Sequence, residues 1–221
     1  MIIDASLVTD ILPIAGSLLG LIVGSFLATL IVRWPLGKSI TTGRSKCDSC
    51  EKQLAPSELI PVVSYVWQKG RCVDCGEAIN THHLAIELTS ALVGALALYV
   101  APNIIGLAGA FFGWLLLTLA SLDAEHQWLP DRLTAILAIS GISSALIIRD
   151  PILVDRIIGG LVGYFSLALI AIAYRKLRGR EGLGGGDPKM LAGIGIWLGW
   201  QYLPIVLIGA SVTGLVLVIS A

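Results

Sequence analysis

The chain is predicted to be an all-α integral membrane protein, a polytopic bundle of about seven transmembrane helices with one small cytoplasmic insert. Three observations carry this. Of the 221 residues, 56% are hydrophobic and only 14% charged, and the mean hydropathy is +0.86. Residues 11–32 run 22 positions without a charge, enough to cross a hydrocarbon core of ~30 Å. The four cysteines fall together in the one long polar stretch, 33–83.

The first ten residues carry Asp4 and Asp10 and no base, unlike the basic start of a signal peptide. After the span at 11–32, further apolar stretches lie at 88–101, 104–122, 133–148, 157–174, 190–203 and 204–221. Each predicts a membrane helix. The chain thus divides into a first helix, 1–33, a four-cysteine segment, 34–83, and a helical core, 84–221. Its 25 glycines suit helices that approach closely in lipid. No internal repeat is evident.

Orientation follows from the bases. With the N-terminus outside, segments 33–83, 123–132 and 175–189 face the cytoplasm and hold 13 of the 15 Lys and Arg; Arg149 and Arg156 lie outside. This is a strong positive-inside bias. Membrane lipid is the expected surroundings, in a cytoplasmic (inner) membrane, and nucleic acid is not an expected partner.

Within the insert, Cys47-Asp48-Ser49-Cys50 is followed, after 21 intervening residues, by Cys72-Val73-Asp74-Cys75. Two C-x2-C knuckles offer four thiolates to one tetrahedral metal, most simply Zn²⁺. Two disulfides are the alternative, disfavoured in a reducing cytosol. The insert has few apolar residues, so a structural metal would supply folding energy that burial cannot.

Two carboxylates flank the membrane on the same predicted side. Asp123 ends one apolar helix, and Asp187 follows Gly182-Leu183-Gly184-Gly185-Gly186 at the start of another. Asp187 before Pro188 also reads as a plain helix start, whereas an acid inside a membrane is a functional-site candidate. Two carboxylates sharing a proton can activate a water and protonate a leaving amine. Asp131, after Pro130, reads as a helix cap. His82-His83 and His126 read as interfacial or solvated, Glu87 as a buried polar contact, and the six tryptophans largely as an interfacial belt.

These residues together resemble the bacterial type IV prepilin peptidases, leader peptidases and N-methyltransferases of the GxGD aspartyl protease type. The resemblance rests on Gly24-Ser25-Phe26-Leu27 with Arg33-Trp34-Pro35, the cysteine array with Glu58-Leu59-Ile60-Pro61 and Ser64-Tyr65, Asp123 with Leu129-Pro130-Asp131, and Gly184-Gly185-Gly186-Asp187 with Lys189. It departs at His82-His83, where an Arg-Tyr pair is common. The resemblance implies that Asp123 and Asp187 are catalytic at the cytoplasmic face, and that basic leaders are cut from type IV prepilins or type II secretion pseudopilins. The new N-terminus would then be methylated from S-adenosylmethionine, a step it associates with the four-cysteine segment. Gly184, Gly186 and Lys189 would let an extended substrate approach the backbone. No glycine-rich dinucleotide fingerprint marks a methyl-donor site.

Two other classes compete. A proton- or cation-coupled transporter could use Asp123 and Asp187 as a relay, but has no use for a four-cysteine insert. A metal-dependent scaffold explains the insert and leaves the acids idle.

Overall fold

A computed structural model describes residues 5–39, 45–47 and 49–220. Asp4 and Asp48, named above, lie outside the described residues. The described chain is helical: α1 (Ala5–Arg33), α2 (Val63–Trp67), α3 (Thr81–Val100), α4 (Ile104–His126), α5 (Asp131–Ser144), α6 (Leu153–Arg178), α7 (Asp187–Leu198) and α8 (Leu203–Ser220). It divides into two compact units, Met1–His126 and Gln127–Ala221. The helix α1 is part of the first unit, packed along α3.

Seven helices stand where seven apolar stretches were expected, but they are not seven equal spans. Asp10–Arg33, α3, α4 and α6 are long and apolar enough to cross a membrane, and α7 with the segment Trp200–Val216 makes a fifth only as a pair bent by 118°. The 14 residues of α5 and 12 of α7 rise about 21 and 18 Å at 1.5 Å per residue, short of ~30 Å. A hydropathy run measures apolar length and cannot see where a helix stops inside it. Here α7 stops at Gly199, whose φ of +82° falls where side chains are strained.

In the first unit, α1 lies against α3 along Gly16, Gly20 and Gly24, spaced four apart on one helix face. A Cβ on Gly16 would strike the Gly94 carbonyl and one on Gly20 the Ser90 carbonyl; on Gly24 it would sit 2.8 Å from Glu87 Cα. Backbone therefore touches backbone for two turns, the small-residue contact that substitutes for a hydrophobic drive in lipid. In α4, Leu119 and Leu122 are fully buried, and Trp114 donates its indole N–H to the Ser90 carbonyl at 2.9 Å.

The second unit repeats the device. Gly159 and Gly163 of α6 meet the backbone of α7 at Gly195 and Leu191. Trp197 is buried and donates to the Leu137 carbonyl of α5 at 2.9 Å. Trp114 and Trp197 thus belong to helix cores, a correction to the interfacial belt. The indole N–H finds a partner there without reaching the headgroups.

Arg156, expected on the outer side, is fully buried. Its guanidinium donates to the carbonyls of Pro151 (2.9 Å), Gly141 (3.0 Å), Ile148, Ile196 and Trp197 and to the Ser144 hydroxyl (2.9 Å). Four of these acceptors lie in the last turns of α5 and α7, where C-terminal carbonyls lack helical partners, and Ile148 and Pro151 lie in the link from α5 to α6. The planar five-donor fork of Arg suits such a ring of acceptors.

Candidate functional site

The insert is built on two matching turns. In the first, Cys47 N–H bonds the Lys52 carbonyl and Glu51 N–H the Cys47 carbonyl; in the second, Cys72 N–H bonds the Glu77 carbonyl and Gly76 N–H the Cys72 carbonyl. Both turns pass through positive φ at the same step, Glu51 (55°) and Gly76 (70°). Isolated antiparallel bridges flank each turn at the same offsets, Lys46 with Gln53 and Arg71 with Ala78. This is a repeat too short to stand out from composition. Lys52 of the first turn pairs with Asp74 of the second at 2.9 Å.

The result is a cluster of Cys47, Cys50, Cys72 and Cys75 whose four sulfurs lie within 4.8 Å of one another. All four thiols are free, and Cys47 Sγ is 3.8 Å from Cys75 Sγ. That is far beyond a disulfide bond. It matches the ~3.8 Å edge of a tetrahedron with metal–sulfur bonds of ~2.3 Å. Backbone N–H groups of Cys75 and Asp74 hold the Cys72 thiol down at about 7. The Glu77 N–H draws Cys75 down too, but desolvation and the thiols of Cys72, Cys50 and Cys47 outweigh it and push Cys75 up to about 12. Four crowded thiols cannot all ionise alone, and a dication removes that conflict. The donor set therefore fits one thiophilic metal ion.

The two aspartates sit at helix ends, one in each unit. Asp123 is in the last turn of α4, exposed, one position beyond fully buried Leu122. The packed side of α4 is occupied by Trp114, Thr118 and Leu122, so the next residue points away from it. Close by, His82 Nδ1 of α3 lies 2.9 Å from Glu125 Oε1. The histidine expected to be merely interfacial ties the end of the insert to the helix that carries Asp123.

Asp187 is the first residue of α7, and Gly186, not Asp187, is the N-cap. The half-buried Asp187 turns its carboxylate back to accept the Gly184 N–H at 2.9 Å. A helix N-terminus is a favourable place for a carboxylate. None of the three glycines before it has a positive φ, and at Gly184 and Gly186 it is space that favours glycine. A Cβ on Gly184 would stand 3.2 Å from Asp187 Oδ2, and one on Gly186 would press on Leu129 at 2.6 Å; at Gly185 nothing lies within 4 Å. Of the three, Gly185 has the open face.

Asp131 does not cap its helix. Pro130 is the N-cap of α5, and Asp131 Oδ1 accepts from Lys189 Nζ at 2.6 Å. The ion pair joins the start of α5 to the first turn of α7, two residues past Asp187. Lys189, expected to serve substrate approach, is engaged with Asp131. A pairing across 58 positions has no local signature, which is why the sequence suggested only a cap.

Two family models match the chain in succession, and the second begins inside α4 and so takes in both Asp123 and Asp187. The description Bacterial Peptidase A24 N-terminal domain matches residues 18–101, and Type IV leader peptidase family matches residues 110–219. A prepilin leader peptidase/N-methyltransferase of Dickeya chrysanthemi is 39% identical over 223 residues, covering 90% of this chain and 78% of the relative. One of Klebsiella pneumoniae is 38% identical over 199 residues, covering 87% of each. The chain belongs to the type IV leader peptidase family. A further leader peptidase, of Aeromonas hydrophila, is 39% identical over 172 residues, and the aligned part spans 59% of its length. No solved structure matches. Family membership favours a peptidase over a transporter.

Proposed function

We propose that this leader peptidase removes basic leaders from type IV prepilins, and from pseudopilins of similar design, with Asp123 and Asp187 as its acid–base pair at the cytoplasmic face of the inner membrane. The observation that carries the reading is Asp187: a carboxylate at the head of a helix too short to span, behind a glycine loop with an open face at Gly185. An extended peptide can lie along such a loop, its apolar helix in lipid and its scissile bond at the interface. One ionised carboxylate takes a proton from water as the water oxygen bonds the scissile carbonyl carbon. The other carboxyl gives its proton to the departing amine as the C–N bond breaks.

The four cysteines would hold Zn²⁺ in a structural role, since all four positions of a tetrahedral ion would be filled by thiolate. The methyltransferase half of the relatives' name points to S-adenosylmethionine as methyl donor. The two described crevices, one walled by Leu12, Leu19, Leu98 and Leu107 and one by Ile142, Leu146 and Leu153, are apolar and offer no carboxylate for the donor's ribose or ammonium. Neither crevice fits it.

The test is incubation of the purified protein in detergent with a prepilin-like substrate, reading leader loss by mass. Asp123→Asn and Asp187→Asn should each lower cleavage by at least ~10²–10⁴-fold, because an amide neither takes nor returns the proton. The double variant should be little worse than either single one. Near-normal cleavage by a folded single variant would remove the aspartyl mechanism.

A further inference from the structure

The insert carries an apolar stripe that its own small fold does not cover. In α2, Val63, Val66 and Trp67 are spaced on one helix face and are all exposed, Trp67 by 84% and Val66 by 66%. Leu59 and Ile60 extend the patch. The other side of α2 turns inward, where the Tyr65 ring lies over Gly70. A polar, metal-clustered domain has no reason to expose five large apolar side chains in a row to water, and such patches mark contact with a partner or a membrane.

The backbone before α2 fixes where this stripe lies. Val62 has φ +62° and ψ −48°, and the Val63 N–H bonds the Pro61 carbonyl at 2.6 Å. This is a γ-turn with positive φ, strained for any residue and more so for a β-branched one. Strain of this kind persists where the surroundings over-determine it. Here Glu87 of α3, 8% exposed, accepts the Val62 N–H on Oε2 at 2.8 Å. Glu87 lies six residues inside the start of α3, about 9 Å along its axis. Its Cα faces Gly24 of α1, nine residues or about 14 Å before the end of that helix. Measured along both helices, the Val62 turn therefore lies inboard of the end of α1 at Arg33 and the start of α3 at Thr81, and Leu88, the next residue of α3 after Glu87, is exposed.

We propose that residues 59–67 are a re-entrant wedge: the four-cysteine domain is seated in the membrane, with Ile60, Val63, Val66 and Trp67 in the boundary between headgroups and acyl chains. Glu87 is the latch that holds the wedge at that depth. Lys69 and Arg71, both exposed just beyond it, reach for lipid phosphate. The arrangement is that of an interfacial helix, apolar face about 5–10 Å into the boundary and basic groups above it.

A photo-crosslinking benzophenone side chain in place of Trp67 tests this, in metal-loaded protein reconstituted into phosphatidylethanolamine–phosphatidylglycerol vesicles with a prepilin-like substrate present. The same group at Leu92 marks the lipid-facing level and at Glu77 the solvent level. The expected result is a lipid adduct at position 67, with a yield near that at Leu92 and at least ~threefold above that at Glu77, as partial immersion requires. Glu87→Gln, whose amide oxygen still accepts an N–H, should keep the adduct, and Glu87→Leu should lose it. A yield no higher than at Glu77 overturns the proposal. So does an adduct to substrate or to a second copy in place of lipid. The adduct in the protein with Glu87 intact decides the matter even if Glu87→Leu fails to fold.

Discussion

Each unit buries one charged side chain among its helices, and the two make opposite demands on the backbone. Glu87 takes a single N–H, that of a strained turn in the insert. Arg156 gives to five carbonyls and a hydroxyl, at the ends of two short helices and in the link that follows one of them. Around them the two units are alike, with a glycine stripe closing one helix pair and a tryptophan indole bonded to a neighbouring carbonyl. Long helices satisfy their own backbone in lipid, so the first unit needs only a point of attachment for its polar insert. Helices of 12 and 14 residues are shorter than a bilayer is thick, and carbonyls left inside one would have no water to meet them. The second unit therefore needs many donors in one place.

The largest effect should come from taking away the metal, and it should stay in the first unit. Cys47→Ser, or exhaustive chelation, should unfold the insert while the membrane helices remain inserted, because no sizeable apolar core replaces the ion. Metal per protein, measured by elemental analysis, should be near one equivalent and fall with the variant. Acid should act in the same direction, since thiolates bind the ion and protonation competes for them. Less than ~0.2 equivalents in protein purified without chelator would remove the metal reading.

Next comes Arg156→Met, confined to the second unit. It strands several buried carbonyls, each worth ~1–3 kcal/mol when unpaired, so a loss of about 3–5 kcal/mol is expected. Glu87→Leu strands one N–H and should cost about 1–3 kcal/mol. Thermal unfolding in detergent followed by helical circular dichroism ranks them. If Glu87→Leu proved the more damaging, the contrast between one bond and six would be wrong. The smallest effect belongs to the Asp131–Lys189 pair, which is largely exposed. Asp131→Asn should cost no more than ~1 kcal/mol and leave most leader cleavage intact in the mass assay. A collapse of cleavage there would mean that the pair positions Asp187.

Much of this was legible from residue order. Seven apolar stretches became seven helices, and the C-x2-C pairs converged into one cluster because each is a local turn with its own hydrogen bonds. Helices that break off early were harder to see, since Gly199 and the ends of α5 and α7 lie inside or beside apolar runs that hydropathy reads as continuous. Glu87 was legible as a buried polar contact though not its partner, and the roles of Arg156 and Asp131 escaped because their partners are 5 to 58 positions away. A guanidinium bound to backbone carbonyls carries no sequence complement at all, since every residue type has a carbonyl. Val62 was equally silent: nothing about a valine foretells positive φ.

Arg156 has one more consequence, which concerns leakage. A hydrolase lodged in an energised membrane must admit water to its acids from one compartment while giving protons no path to the other. Arg156 bonds to Ile196 and Trp197, at the opposite end of α7 from Asp187, and so takes up carbonyls that could otherwise accept from water. A permanently charged, fully engaged group is also a poor relay, having no proton it can release at ordinary pH. On the proposed role of Asp187, the far end of α7 is thus held by a group that cannot hand a proton on, and a proton path through that end would have to bypass Arg156.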